Sequence, residues 1–496
     1  MRAAAILSAY TIMKILFATS EAHPLAKTGG LADVSGALPA ALNRIGVDVR
    51  MLLPGYPSVL SKAENLTRRF HIDLPVHGET ALLGGFMPGS GVPLYVIEHD
   101  GYFKRDGLYQ DKSGKDWPDN ALRFGLLSQF AAWLAGPQTP LDFHPDVLHC
   151  NDWQTGMAPA YLHFGKAPRT PSIFTVHNLA YQGIFPATTL DDLGLPPESF
   201  SMDGVEYYGK LSFLKAGLFY ATRLTTVSPT YAREIQTETF GMGFQGLLTA
   251  RNNVLHGILN GIDTEEWNPA TDKHLDATYS PDNLAGKGLD KLAIQDELGL
   301  ERNPGVPLLG MVSRLTLQKG SDVVIETAPR LVELGAQIVV LGNGDAALET
   351  AWRKLAAAHP GKIAVHIGYN EGLSHRIEAG SDLFLMPSRF EPCGLNQMYS
   401  LRYGTPPVVH KVGGLADTVV HASLNNLSQG IATGFVVDIL DAATLFETIR
   451  RAFVLYKHKL AWRQLVRTGM TQDFSWENSA REYLDVYQDA VKGLVA

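Results

Sequence analysis

Residues 14–46 have the sequence KILFATSEAHPLAKTGGLADVSGALPAALNRIG, which predicts a strand, a loop and a helix in that order. The segment KILFATS is a short apolar run with the length of a buried strand. After the glycine pair, six apolar residues share one helical face: Leu31, Val34, Leu38, Ala41, Leu42 and Ile45. A buried strand that leads through a loop into an amphipathic helix indicates an α/β fold with a parallel sheet.

The same alternation of apolar runs and helical segments recurs along the chain. Further strand-like runs are VRMLLP (49–54), LYVIE (94–98), DVLHC (146–150), SIFTVH (172–177) and LTTVS (224–228). The pattern pauses between about Arg251 and Pro307, where Gly, Asn, Asp and Pro cluster. It then resumes with VPLLGMVS (306–313), AQIVVLG (336–342), IAVHIG (363–368), DLFLMPS (382–388) and TPPVVH (405–410). We therefore predict two α/β domains, followed by an amphipathic helix at the C-terminus.

Composition narrows the class of protein. The chain has 496 residues, 45% hydrophobic and 19% charged, which is typical of globular proteins with two or three domains. A net charge of −8 disfavours nucleic-acid binding, and no apolar run approaches the roughly 20 residues of a membrane span. Two cysteines provide no disulfide framework and fit the cytoplasm. Because Lys14 interrupts the first apolar run, residues 1–12 are interpreted as an extension before Met13 rather than as a signal peptide.

The loop after the first strand is the first candidate site. It contains Lys27 and the adjacent glycines Gly29 and Gly30. Two glycines before a helix let a ligand approach the backbone, and the free N–H groups and the helix dipole favour an anion. A structural turn beside a solvent-exposed lysine explains the same residues equally well. The segment lacks GxGxxG, which disfavours a nicotinamide-dependent oxidoreductase.

The second candidate site follows the strand VPLLGMVS, where Arg314 and Lys319 flank a short segment. A planar guanidinium and a mobile ammonium at one strand end can bind a diphosphate from two sides. The sequence shows no Asp-x-Asp pair suited to a divalent metal that bridges a nucleotide diphosphate. Cations of the protein are therefore expected to take the place of a metal.

The third candidate site follows the strand DLFLMPS. Glu391 lies just beyond this strand and can hold sugar hydroxyls, while the backbone amides of Gly394, Leu395 and Asn396 face a phosphate. Cys393 is counted with these residues in the predicted substrate-binding loop, where its side chain is interpreted as a small packing residue; no paired histidine motif accompanies it, which disfavours a catalytic thiol.

A polar and aromatic cluster is predicted at two neighbouring strand ends. His177 ends the strand SIFTVH and opens the segment HNLAYQG, and Asp152 and Trp153 follow the preceding strand. Polar groups beside an aromatic ring are typical of carbohydrate recognition. A histidine beside a loop is more often structural than catalytic, so both interpretations stay open for His177.

Taken in order, these motifs resemble the bacterial glycogen synthase and plant starch synthase family. The motifs are KTGGLADV, HCNDW, FTVHNLAYQG, LNGID, SRLTLQKG, IGYNE, PSRFEPCGLNQ and GGLADTV, and the match extends from about Met13 to the C-terminus. The resemblance implies a GT-B fold, in which two Rossmann-like domains with parallel sheets face each other across a deep cleft. It implies retaining transfer of glucose from ADP-glucose to the non-reducing 4-OH of an α-1,4-glucan, without a metal or other cofactor.

The resemblance also implies domain limits and residue roles. Residues 13–256 are expected on the glucan acceptor side and 257–474 on the donor side, with a helix at 475–496 crossing back to the first domain. Lys27 is expected to reach the donor diphosphate, Arg314 and Lys319 to neutralise the leaving ADP, Glu391 to hold the glucosyl hydroxyls and His177 to border the sugar. Positions expected to line the site are Asp33, Tyr109, Asp152 and Asn260, with Tyr369 as a candidate to stack on adenine.

The sequence departs from the wider class of retaining transferases at one position. Many relatives carry a second glutamate eight positions after the first, where this chain has Tyr399. We therefore assign no nucleophile and acid pair, and favour a same-face route in which the departing phosphate helps to deprotonate the acceptor. Two alternatives stay open: a retaining transferase that uses UDP-glucose and another acceptor, and a non-catalytic glucan-binding or nucleotide-sensing protein.

The pentapeptide GGLAD occurs twice, at residues 29–33 and 413–417. Each copy follows a predicted strand and begins a predicted helix in its own domain. Both copies are expected to shape glycine turns, and only the first, through Lys27, is assigned to the donor.

Overall fold

The computed structural model describes residues 12–74, 76–165 and 169–495, so nearly all of the predicted N-terminal extension lies outside the described residues. The chain forms two compact units. The first comprises the described residues of Met1–Val227, Ala232–Ile258 and Trp476–Ala496, and the second comprises Ser228–Tyr231 and Leu259–Ser475. Among the helices within the described ranges, none combines the length and apolar composition needed to cross a bilayer.

The first unit is built on a nine-stranded mixed sheet and a small three-stranded one. Its strands are β1 (Lys14–Ala18), β2 (Asp48–Pro54), β3 (Glu64–Leu74), β4 (Gly78–Phe86), β5 (Pro93–Glu98), β6 (Val147–Asn151), β7 (Ser172–Val176), β8 (Ile184–Pro186), β9 (Glu206–Tyr207), β10 (Lys210–Ser212), β11 (Arg223–Thr226) and β12 (Leu255–Gly257). The large sheet has the order β12-β11-β7-β6-β1-β2-β5-β4-β3, and the small one has the order β8-β10-β9.

Strands β12 to β5 of the large sheet are parallel, as the apolar runs predict, whereas β4 and β3 are antiparallel and β3 forms the edge. Most of β3 is exposed. An edge strand in contact with water lacks the continuous apolar run of a buried parallel strand, which explains why sequence patterning did not find it.

The helices that follow these strands cover the sheet. They are α1 (Gly30–Arg44), α2 (Pro57–Lys62), α3 (Asp100–Phe103), α4 (Asn120–Ala135), α5 (Ala158–Phe164), α6 (Thr189–Asp192), α7 (Phe213–Tyr220), α8 (Pro229–Glu234), which is divided between the units, and α9 (Gln245–Ala250). The apolar face predicted for α1 is buried almost completely. Burial of each large apolar side chain contributes roughly 1.5–3 kcal/mol, so this face fixes α1 against β2 and against the C-terminal helix of the chain.

The second unit is a doubly wound sheet. Its strands are β13 (Leu308–Val312), β14 (Gln337–Gly342), β15 (Ile363–Ile367), β16 (Leu383–Met386), β17 (Pro407–His410) and β18 (Phe435–Val437). Its helices are α10 (Ala285–Glu297), α11 (Ser321–Glu333), α12 (Ala346–Ala358), α13 (Glu371–Gly380), α14 (Asn396–Arg402), α15 (Gly413–Thr418), α16 (Leu424–Ser428), α17 (Ala442–Lys457) and α18 (Lys459–Met470). All strand pairs are parallel, in the order β15-β14-β13-β16-β17-β18. This is the Rossmann order, with the reversal between β13 and β16.

The last helix, α19 (Trp476–Val495), belongs to the first unit. It buries residues at helical spacing: Trp476, Ala480, Tyr483, Val486, Tyr487 and Ala490. The Tyr487 hydroxyl lies 2.8 Å from Nδ1 of His149 in β6, and Arg223 donates to Asp489 at 2.7 Å. Packing and polar contacts together therefore hold α19 on the sheet of the first unit.

Candidate active site

Polar residues gather where the strand order of the first sheet reverses, between β1 and β6. In an open parallel sheet the loops on either side of such a reversal diverge and leave a crevice that binds ligands. The loop after β1 contains the KTGG segment, and the loop after β6 contains Asp152. The topology thus brings two of the sequence-predicted sites to one edge of one sheet.

Glu21 organises the loop after β1. Its buried carboxylate accepts hydrogen bonds from the backbone N–H groups of Thr28 (2.5 Å) and Gly29 (3.3 Å), and from the Thr28 hydroxyl (2.6 Å). The Tyr109 hydroxyl also donates to Glu21 at 2.5 Å and lies 2.8 Å from the Ser20 hydroxyl. Burial and the Glu21 charge raise the pKa of Tyr109 well above its usual value. Tyr109 therefore holds the carboxylate that shapes the KTGG loop, a role the sequence analysis missed.

The glycines of this loop face open space. A Cβ added at Gly29 or Gly30 would meet no atom within 4 Å, so packing does not require glycine at either position. The Lys27 side chain is 44% exposed, and its Nζ forms an ion pair at 2.7 Å with Oδ1 of Asp33, which lies in the first turn of α1. The segment is thus a fixed loop with an accessible cation and uncovered backbone, which is what close approach of an anionic ligand requires.

Asp152 and His177 form a second buried cluster in the first unit. The His177 backbone N–H donates to the Asp152 carboxylate at 2.7 Å, and Nε2 of His177 lies 3.0 Å from the Asn151 side-chain oxygen. The amide nitrogen of Asn151 donates to the Ala18 carbonyl at 3.0 Å, so its oxygen faces the imidazole. The protonated nitrogen of His177 is therefore Nε2, and Nδ1 carries the lone pair.

Burial sets the protonation of this cluster. It lowers the pKa of the His177 imidazole to about 3, and it raises the pKa of the Asp152 carboxyl to about 7, against opposing hydrogen bonds from the backbone N–H groups of His177 and Asn178. Asp152 also has a positive φ of 55°, which residues with a side chain rarely adopt. A neutral imidazole beside a strained, buried carboxyl is a hydrogen-bonding surface suited to hydroxyl groups.

The second unit has a pocket of about 200 Å3 at its own strand reversal, between the loops after β13 and β16. The pocket contains the predicted cations Arg314 and Lys319 and the predicted carboxylate Glu391. Its other lining residues are Met311, Val312, Ser313, Leu385, Met386, Ser388, Gly394, Leu395 and Asn396. Six sequence-predicted site residues from two distant segments therefore meet in one pocket.

Glu391 and Lys319 are paired within this pocket. Lys319 Nζ lies 2.5 Å from Oε2 of Glu391, and the side chains are 18% and 8% exposed. The Ser388 hydroxyl donates to the same oxygen at 2.9 Å, and Nδ1 of His410 lies 2.8 Å from the Ser388 carbonyl. Ser388 and His410 were not predicted from the sequence. Both serve to fix the Glu391 carboxylate at the start of the loop.

The second GGLAD copy packs against the Glu391 loop. Gly413 has a φ of +43°, and a Cβ there would lie 1.9 Å from the Glu391 carbonyl oxygen. At Gly414 a Cβ would lie 2.2 Å from the Cys393 carbonyl oxygen. Each copy begins a helix after a parallel strand, as predicted, but the glycines of the second copy allow close backbone contact whereas those of the first are uncovered.

The remaining predicted residues of the second unit lie in different environments. Asn260 is 8% exposed, and its Oδ1 has no hydrogen-bond partner within the described part of the chain. Its backbone N–H faces the buried Cys393 thiol, whose pKa burial raises to about 12, so Cys393 is a packing residue. Tyr369 is 80% exposed and does not line the pocket, so its stacking on adenine stays a prediction.

Tyr399, at the position of the second glutamate in many relatives, stacks on another aromatic ring. Its ring lies 3.7 Å from that of Trp267 at an interplanar angle of 7°, and Trp267 stacks on His375 at 3.9 Å. Tyr399 therefore packs against aromatic rings, and the sequence of α14, NQMYSLR, contains no carboxylate.

Two α/β units, each with polar residues at a strand reversal and one with paired cations beside a carboxylate, are the architecture of a GT-B glycosyltransferase. Residues 14–250 match the family described as starch synthase catalytic domain, and residues 296–467 match glycosyl transferases group 1. Glycogen synthase from Nitrosomonas europaea is 53% identical over 479 residues, covering 96% of this chain and 97% of that protein. Glycogen synthase from Aromatoleum aromaticum is 54% identical over 478 residues, covering 96% of each. The chain belongs to the glycogen synthase family.

Solved structures agree with this membership. The catalytic domain of starch synthase IV from Arabidopsis thaliana, bound to ADP and acarbose, has a TM-score of 0.86 and 32% identity, covering 97% of this chain and 99% of that one. Sucrose-phosphate synthase from Thermosynechococcus elongatus, at 16% identity and a TM-score of 0.58, shares the fold. The family, the GT-B fold and the glycosyltransferase activity predicted from the sequence are confirmed.

Proposed function

We propose that the chain transfers glucose from ADP-glucose to the non-reducing 4-OH of an α-1,4-glucan, with retention and release of ADP. The observation that carries this proposal is the pocket of the second unit, where Arg314, Lys319 and Glu391 converge. The ADP in the starch synthase IV structure supports the choice of donor. Residues 257–474 accordingly provide the donor side and residues 13–256 the acceptor side.

Positive charge in this pocket stabilises the leaving group. Cleavage of the glucosyl–phosphate bond places negative charge on the diphosphate, and preorganised cations lower the energy of that state. Arg314 and Lys319 supply two such charges, and the amides of Gly394, Leu395 and Asn396 lie in the same pocket. Lys27, in the uncovered loop of the first unit, is assigned a supporting contact with the diphosphate. No step in this route uses a metal.

Glu391 acts on the sugar as an acceptor of hydrogen bonds. Lys319 and Ser388 both contact its Oε2, which fixes the carboxylate in place. A fixed negative charge near the anomeric carbon also stabilises the positive charge that develops there. Position 399 holds a tyrosine that stacks on Trp267, so no carboxylate at this position forms a nucleophile and acid pair with Glu391. The departing phosphate takes the acceptor proton on the same face of the sugar.

His177 and Asp152 provide the hydrogen-bonding border of the sugar. The neutral imidazole offers a lone pair at Nδ1, while Asp152 fixes the backbone of His177. Because the pKa of His177 is lowered to about 3, the imidazole is neutral across physiological pH, and its contribution to sugar binding is constant there.

Incorporation of labelled glucose into glycogen tests the proposal directly. Purified protein is supplied with ADP-glucose or UDP-glucose, and radioactivity in precipitated glycogen is measured. We expect ADP-glucose to be the better donor, and Arg314→Ala to lower turnover by roughly 10²–10³-fold, the cost of one preorganised donor. Arg467→Ala, which removes a surface ion pair with Asp282, is the control. Preference for UDP-glucose, or near-normal turnover of Arg314→Ala, would contradict the proposal.

A further inference from the structure

The loops after β13 and β16 are joined by contacts beyond the Lys319–Glu391 pair. The Arg389 backbone N–H donates to the Gln318 carbonyl at 2.8 Å, and the Arg389 guanidinium forms two 2.7 Å hydrogen bonds with Asp322. Gly320, with a φ of +71°, allows the loops to approach, since a Cβ there would lie 2.0 Å from the Pro387 carbonyl oxygen. The two loops therefore form one rigid platform.

Gln318 is the residue whose side chain connects this platform to Arg314. Its amide oxygen accepts a hydrogen bond from Nη2 of Arg314 at 3.2 Å, and its amide nitrogen donates to the Phe390 carbonyl at 3.1 Å. Phe390 immediately precedes Glu391. One amide group thus links the predicted diphosphate ligand on one loop to the backbone of the predicted sugar ligand on the other.

The chemistry of this link is specific to glutamine. The contact with Arg314 requires an acceptor and the contact with Phe390 requires a donor, and the glutamine amide supplies both. Asparagine has the same groups on a side chain shorter by one methylene, which cannot span both partners at these distances. Glutamate would accept from Arg314 but would turn an oxygen toward the Phe390 carbonyl.

The neutral amide also preserves the charge of Arg314. Within residues 12–74, 76–165 and 169–495, Arg314 has no ion pair with a carboxylate, whereas Lys319 is already paired with Glu391. A neutral partner orients a guanidinium without cancelling its field, so the full charge is available to an anion. The cation that is least compensated in the pocket is thus also the one that Gln318 orients.

We infer that Gln318 is a positioning residue for the donor diphosphate: it aims the Arg314 guanidinium into the pocket and locks it to the Glu391 loop. This inference rests on the proposed donor site. Removal of Gln318 is expected to weaken ADP binding only through Arg314. A residue that merely stabilised the fold would weaken binding whether or not Arg314 is present.

A double-mutant cycle with isothermal titration of ADP tests this inference. Four full-length proteins are compared: the parent, Gln318→Ala, Arg314→Ala and the double variant. Gln318→Ala is expected to raise the Kd for ADP about tenfold, the scale of one hydrogen bond to a charged group. In the Arg314→Ala background the same change is expected to have less than a twofold effect. Gln429→Ala, an exposed glutamine of the same unit, is the control and should leave the Kd unchanged.

Gln318→Glu provides a second variant that keeps the size of the side chain. Because a glutamate would pair with Arg314 and compete with the diphosphate, we expect its Kd for ADP to exceed that of Gln318→Ala. In turnover assays the KM for ADP-glucose should rise while the KM for glycogen stays within twofold. Additive effects in the cycle, or a Gln318→Glu protein that binds ADP as tightly as the parent, would overturn the inference.

The controls separate this inference from the proposed function. If the parent fails to bind ADP, or if Arg314→Ala binds it as well as the parent, the donor site itself is wrong. If the parent binds ADP, Arg314→Ala weakens binding and the Gln318 variants behave like the parent, the donor site stands and the positioning role is wrong.

Discussion

Replacing Glu391 by glutamine should lower the stability of the second unit and, at the same time, tighten its binding of ADP. The Lys319 ammonium lies 2.5 Å from the Glu391 carboxylate, and both groups are largely removed from water. Glutamine keeps the shape and one acceptor oxygen but removes the negative charge. The ammonium is then left nearly buried without a counter-charge, unless a diphosphate supplies one.

The distance between Lys319 and Glu391 sets the size of the expected loss of stability. At 2.5 Å and an effective dielectric constant of about 20, the attraction of two unit charges is about 7 kcal/mol before desolvation is subtracted. Removing one partner of a buried pair costs about 3–5 kcal/mol, and the retained amide oxygen and partial exposure of Lys319 favour the lower limit. We expect Glu391→Gln to lower the free energy of unfolding by about 3 kcal/mol, and to tighten ADP binding about tenfold because its diphosphate no longer faces a carboxylate.

Urea unfolding with and without ADP, together with titration calorimetry, measures both effects. The stabilisation by ADP should be greater for Glu391→Gln than for the parent, since it grows with the ratio of ligand concentration to Kd. Asp438→Asn is the matched control, because it breaks the Lys411–Asp438 pair, whose side chains are 60% and 74% exposed. Its cost should be below about 1 kcal/mol. Equal urea midpoints for Glu391→Gln and the parent, with unchanged ADP affinity, would refute this reasoning.

The remaining predictions concern the two GGLAD copies and the buried titratable groups of the first unit. Gly413→Ala should lower the urea midpoint by the equivalent of about 1–3 kcal/mol, because its Cβ would overlap the Glu391 carbonyl; an unchanged midpoint would contradict the close packing. Gly30→Ala should be as stable as the parent or up to about 1 kcal/mol more stable, since Gly30 begins α1 and faces open space. A loss of glucose incorporation by this stable variant would indicate that the substrate approaches the backbone at Gly30. Burial lowers the pKa of His149 to about 3, so the unfolded chain binds more protons below pH 6.5 and stability falls as the pH drops from 6.5 toward 3; unfolding curves of His149→Gln should show a shallower acid slope. Asp152, whose pKa burial raises to about 7, acts in the opposite direction: the folded chain binds more protons than the unfolded chain between about pH 4 and 7, so stability falls as the pH rises through this range. Asp152→Asn should remove this fall, and a pH dependence of unfolding equal to that of the parent would contradict the raised pKa.

Local periodicity was sufficient to predict most of the fold. Strands β1, β2, β5 and β13 to β17 coincide with apolar runs, because a parallel strand buried on both faces is apolar along its length. Strand β3 escaped prediction because it is an exposed and polar edge strand, and the buried β4, GETALLGGF, has only three consecutive apolar residues before a glycine pair. The order of the strands is not encoded in any local pattern, yet it decides which loops meet.

Part of the candidate site was visible in the sequence for a similar reason. Arg314, Lys319 and Glu391 follow apolar runs directly, so their position at strand ends could be predicted from the chain alone. Glu21 and Ser388 also follow strands, but what distinguishes them is hydrogen bonding to distant residues: Glu21 accepts from Tyr109, 88 positions away, and the Ser388 carbonyl lies within hydrogen-bond distance of His410, 22 positions away. Such partners exist only once the loops have been brought together.

The GGLAD repeat shows where sequence ends and tertiary structure begins. The sequence by itself determined that each copy follows a strand and begins a helix, because glycine pairs and helical spacing are local properties. Only the tertiary structure decided that Gly29 and Gly30 face open space whereas Gly413 and Gly414 lie against the carbonyls of the Glu391 loop. The physical reason is that a glycine's conformational freedom is fixed by its own chemistry, but the space around it is fixed by the neighbours that the fold supplies.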